Sequence, residues 1–69
     1  MNGPRWVPLQ GGGFVNLDRI TTLKPVEVDG RWILEARGWS FCEQLAGAYD
    51  SQPIAQRDAG RIVARTWQQ

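Results

Sequence analysis

Histidine is absent from this 69-residue chain, cysteine occurs once, and no apolar run exceeds four residues. Each shortage closes off a class. A lone Cys42 leaves no intrachain disulfide, and without histidine a Cys/His zinc site has no ligand set. The apolar runs fall far short of the roughly 20 residues that span a bilayer. Eight basic residues against seven acidic ones give a formal charge of +1, so affinity for nucleic acid would have to come from local clustering. Met1 to Arg5 hold no apolar stretch of the signal-peptide kind, and a single unpaired cysteine suits a reducing compartment; the expected location is the cytoplasm.

Apolar residues are plentiful nonetheless. They make up 42% of the chain and include four tryptophans, too many for a disordered class. So short a chain makes one domain, residues 1–69, and buries only about 60% of the surface its unfolded form exposes. With disulfide and zinc excluded, self-association is the remaining means of reinforcing a small core.

The hydrophobic pattern predicts an α+β fold: an antiparallel meander of four or five strands within residues 5–46, with one C-terminal helix, about residues 52–67, packed on one face. Arg5 to Leu9 and Phe14 to Leu17 flank the run Gly11-Gly12-Gly13 as a hairpin, and Pro8 restricts the first arm to an edge. Asp18-Arg19 marks a break. A β-rich stretch follows from Ile20 to Val28, where Pro25 implies an edge, bend or bulge. Asp29-Gly30 between β-formers predicts a type I′ turn. In the next arm Trp32, Leu34 and Ala36 face one side; Arg31, Ile33, Glu35 and Arg37 face the other. Trp39 to Ala46 reads as a further strand, with Cys42 an inert buried thiol in preference to a nucleophile. Asp50 or Ser51 caps the helix, Pro53 fits its first turn, and Ile54, Ala55, Ala59, Ile62, Val63 and Thr66 form its apolar stripe.

The parts of a catalytic site are missing. Without histidine a base must be a carboxylate, lysine or cysteine, and no two of the seven acids sit at a spacing that forces them onto one site. The glycine triplet lacks the lysine and Ser/Thr of a phosphate loop. The expectation is therefore no enzyme, no cofactor and no metal site.

Aromatic residues are more informative. Trp6, Trp32, Trp39 and Trp67, with Phe14, Phe41 and Tyr49, are either all core or partly interface. One helix covers one side of a thin sheet. If Trp32 faces that helix, some of Trp6, Phe14, Trp39 and Phe41 should lie on the uncovered face and mark an interface. Arg57, Arg61 and Arg65 recur every four residues and form a stripe that is either an ordinary solvated helix face or a dock for an anion. Arg19, Lys24, Arg31 and Arg37 form a second basic set on the strands, interspersed with Glu27 and Glu35.

Two family patterns emerge. Gly30-Arg31-Trp32, followed by Gly47-Ala48-Tyr49-Asp50-Ser51 and an alanine-bearing helix, resembles the three-stranded sheet plus helix of AP2-type and integrase arm-type DNA-binding domains over residues 29–67. That resemblance implies DNA contact from the open sheet face, where Arg31, Ile33, Glu35 and Arg37 stand. Gly13-Phe14-Val15-Asn16-Leu17-Asp18-Arg19-Ile20 is similar to the start of small FlbD-type domains of flagellar operons, where a hairpin leads into further strands and a short helix.

The leading expectation is a small non-enzymatic binding module. It would form a homo-oligomer and engage a protein partner through Trp6, Phe14, Trp39, Phe41, Arg57, Arg61 and Arg65, as a phage or mobile-element inhibitor of a host or defence protein would, with no membrane partner. Two alternatives stand beside it. One is a DNA-binding domain using Arg19, Lys24, Arg31, Ile33 and Arg37; the other is sequestration of an anionic small ligand at a subunit interface.

Overall fold

The computed structural model describes residues 5–67, with side chains through residue 64. The expected α+β architecture is present: five antiparallel strands in two small sheets and one C-terminal helix. Strands β1 (Trp6–Pro8) and β2 (Phe14–Asn16) form the N-terminal hairpin, with Val7 opposite Val15. A 3₁₀ turn, Leu17–Arg19, then reverses the chain; Asn16 Oδ1 accepts the Asp18 N–H at 2.9 Å to open it. Asp18 in turn accepts a hydrogen bond from the Arg5 guanidinium at 2.7 Å, tying the turn back to the head of β1.

Strands β3 (Thr22–Val28), β4 (Arg31–Arg37) and β5 (Cys42–Gln44) form a three-stranded meander in that order. The β3–β4 link is the expected Asp29-Gly30 turn, with φ of 53° and 79°, the two positive angles that a type I′ turn requires. β3 is an edge strand, which explains how it tolerates proline. Pro25 lies opposite Leu34, and the Leu34 carbonyl accepts the Leu45 N–H at 2.8 Å on the far side of β4. Leu34 thus directs its hydrogen bonds toward β5, and the nitrogen of Pro25 points out of the sheet, where no donor is needed.

The two sheets run into one another at Leu9 and Leu45. Gln10 N–H donates to the Gln44 carbonyl and Ala46 N–H to the Pro8 carbonyl, both at 2.9 Å. The Gln10 side-chain amide adds bonds to the carbonyls of Leu45 at 3.0 Å and Gly47 at 2.9 Å. Beyond this junction Tyr49 and Trp32 exchange backbone bonds of 2.7 and 3.0 Å, so the segment entering the helix stays attached to β4.

Helix α1 (Gln52–Trp67) begins at Ser51, whose carbonyl accepts the Ala55 N–H at 3.1 Å. It packs on β3 and β4. The core is one cluster: Val7, Val15 and Leu17 from the N-terminal third, Leu34, Ala36 and Leu45 from the sheet, Ala55 and Ala59 from the helix. Alanine at both helical positions lets the backbone approach the sheet closely, so only a narrow strip is covered. Ile62 is half-buried, whereas Ile54 and Val63, expected on the apolar stripe, are exposed. Thr66 of that stripe, and Trp67, have side chains outside the described residues.

Two local expectations are corrected. The strand expected from Trp39 to Ala46 starts only at Cys42, because Gly38 and Phe41 flank a two-residue reversal, Trp39-Ser40, closed by the Gly38 N–H to Phe41 carbonyl bond at 3.0 Å. Cys42, expected buried, is exposed, since its register partner Arg37 lies on the face turned away from the helix.

Candidate functional site

Alternation along the N-terminal hairpin sends Val7 and Val15 into the core and leaves Trp6, Pro8 and Phe14 outside. Trp6 retains 58% and Phe14 65% of its full exposure. Pro8 faces Phe14 directly, and Trp6 is the diagonal neighbour of Phe14, within reach of a ring. These three residues make an apolar patch on a short, clasped hairpin.

The other two aromatic candidates separate. Trp39, at the tip of the β4–β5 turn, is 94% exposed. Phe41, two residues on, is half-buried and packs against the core. The helix-free face of the three-stranded sheet carries no aromatic ring at all, contrary to the simplest form of the expectation. By register it presents Thr22, Lys24, Val26 and Val28 on β3, Arg31, Ile33, Glu35 and Arg37 on β4, and Cys42 and Gln44 on β5. Lys24, Arg31, Ile33 and Arg37 thereby share one face, with Arg31 and Arg37 at opposite ends of β4 and Arg37 bonded to Glu35 at 3.2 Å. Arg19, exposed on the 3₁₀ turn, has its backbone carbonyl against Gly38, the neighbour of Arg37. On the helix Arg57 and Arg61 are exposed, and the Arg65 side chain lies outside the described residues.

A feature that sequence reasoning missed lies between the helix and the β1–β5 junction. A cleft of about 260 Å³ opens there over a floor of Val7, Leu34, Leu45 and Ile62. Its polar edge is built by Tyr49, Asp58 and Arg61. The Tyr49 hydroxyl donates a short hydrogen bond to Asp58 Oδ2, while Asp58 Oδ1 lies 3.8 Å from Arg61 Nε. The available signal was Asp58 itself, a carboxylate one turn from both Ala55 and Ile62 and so at the border of the inward face.

Burial, then the hydrogen bond and negative charge of Asp58, push the Tyr49 hydroxyl up to about 12, with Arg61 opposing. Tyr49 is the only tyrosine, so its phenolate can be followed directly by ultraviolet absorbance. The expected midpoint is near 12 in the folded protein, against about 10 in denaturant. Because the folded value is raised, the stabilisation is complete below pH 10 and is lost as pH rises through 12. Tyr49→Phe removes that part of the alkaline stability loss. A folded-state midpoint near 10 refutes the Tyr49–Asp58 bond.

Among the described residues no group of three or more His, Cys, Asp or Glu side chains gathers as a metal site, and no helix is long and apolar enough to cross a membrane. Compared with protein-family models, curated proteins and solved structures, the chain gives no significant match.

Proposed function

We propose that this chain is a non-enzymatic binding module that self-associates, and engages a protein partner, through the outer face of its N-terminal hairpin. The observation that carries this reading is the exposure of Trp6 and Phe14 beside Pro8, on a hairpin whose opposite face is fully used by the core. Large rings held by a clasped backbone lose little entropy on docking and are the usual anchors of protein interfaces. Trp39 at its turn tip is a separate exposed ring.

Light scattering and sedimentation on the wild-type chain test it. At about 100 µM the expected result is a discrete oligomer, dissociating on dilution through a Kd of about 10 µM. Trp6→Ser removes an anchor worth about 2 kcal/mol and weakens that Kd by about 30-fold. A monomer at every concentration, or an oligomer indifferent to both Trp6→Ser and Phe14→Ser, overturns the reading.

A second reading is favoured by the common face that Lys24, Arg31, Arg37 and Ile33 occupy on the helix-free side of the sheet, the surface from which the resembling three-stranded domains contact DNA. The Arg37–Glu35 pair offsets part of that charge. The two readings separate cleanly: duplex retardation that weakens steeply with salt and depends on Arg31 and Arg37, not on Trp6, belongs to the second.

A further inference from the structure

The cleft beside the helix holds polar groups whose bonding capacity is unevenly spent. Asp58 has one carboxylate oxygen occupied by the Tyr49 hydroxyl, and the other faces Arg61. Arg61 is the reverse case. Its side chain is 77% exposed, its Nε lies 3.8 Å from Asp58, beyond hydrogen-bond distance, and among the described residues its guanidinium donates no hydrogen bond. The surplus at the mouth is therefore of donors. Arg57, one turn earlier on the helix, adds to the positive field. An arriving ammonium would have to compete with both Tyr49 and Arg61 for Asp58, whereas an arriving carboxylate shares the Arg61 charge with Asp58 but meets a guanidinium whose N–H groups are free of hydrogen bonds among the described residues. A phosphate dianion suits the place less, since a single guanidinium would have to offset two charges next to Asp58.

Below the mouth the floor is aliphatic, formed by Val7, Leu34, Leu45 and Ile62. The 260 Å³ volume is below the range of about 300–1,000 Å³ that holds drug-sized ligands, and so limits the occupant to one ring or a short alkyl chain. We propose that this cleft binds a small apolar monocarboxylate, its hydrocarbon on Val7, Leu34, Leu45 and Ile62 and its carboxylate on Arg61. Pro8 of the outer hairpin face also lines the cleft, but Trp6 and Phe14 do not, so substitutions at those two rings test the hairpin face and Arg61→Gln tests the cleft.

Titration of the full chain with phenylacetate, followed by amide chemical shifts, is the test. The shifts of Leu34, Leu45 and Ile62 should move together with a Kd on the order of 1 mM, as expected for a ligand of about ten heavy atoms. Phenylacetamide and phenethylamine keep the ring and change only the head group; both should bind about tenfold more weakly. Arg61→Gln, an exposed substitution that leaves the core intact, should weaken phenylacetate by about tenfold, whereas Arg57→Gln, on the same stripe but outside the cleft, should leave it within about twofold. The proposal is overturned by phenethylamine binding as tightly as phenylacetate, by equal losses at Arg57 and Arg61, or by the absence of shifts at about 10 mM phenylacetate.

Discussion

Gly38→Ala is expected to destabilise the protein by about 3 kcal/mol, near the top of the range for overpacking. A Cβ built at Gly38 would fall 2.6 Å from the Arg19 carbonyl oxygen and 2.6 Å from Phe41 Cζ. Neither wall can yield easily. The carbonyl belongs to the backbone of the 3₁₀ turn, and the Phe41 ring is already seated against the core. The mechanism is contact and not backbone conformation, which sets Gly38 apart from the turn glycines. Gly60 provides the contrast: nothing lies within 4 Å of its added Cβ, and Gly60→Ala in the helix should stabilise by about 1 kcal/mol. Chemical denaturation of the two variants reads both signs; a Gly38→Ala variant as stable as wild type would show that the Arg19–Phe41 corner is far looser than described.

Leu34→Ala is expected to remove a comparable amount, about 3 kcal/mol. Leu34 is the largest side chain lost almost wholly from solvent, at 1% exposure, and it lines the cleft floor while belonging to the core cluster. A domain of this length has a total stability of only about 3–10 kcal/mol. The substitution should therefore lower the melting temperature by roughly 12–24 °C, as read by circular dichroism. A shift of only a few degrees would mean that the cleft collapses onto the vacated space.

Much of this fold could be read from the chain because its decisive signals are local. Asp29-Gly30 demanded two positive φ angles between β-formers and has them. Ser51, Pro53 and the change of hydrophobic period placed the helix at Gln52–Trp67. Pro25 implied an edge, a bend or a bulge, and β3 is an edge strand. The failures are non-local. Trp39 and Phe41 alternate as strand residues do, but only their position relative to β4 shows that Trp39 belongs to a reversal. The joining of the two sheets depends on Gln10, whose partners lie 35 and 37 positions away. The Tyr49–Asp58–Arg61 edge forms only when the helix is laid on β3 and β4, and no spacing within the chain encodes that placement. The aromatic surplus was visible in composition; that, among the described residues, its exposed members occupy the hairpin and a turn tip, while the open sheet face is charged and aliphatic, required the register.

The outward-pointing nitrogen of Pro25 has a consequence for what the free rim of the sheet can recruit. A seven-residue rim is long enough to recruit a foreign strand, yet midway along β3 the invader would find a missing donor, and next to it the charge of Lys24. Growth by strand addition is blocked there. If copies meet through the rings of the first hairpin, as proposed, the blocked rim favours closed assemblies over open-ended fibrils.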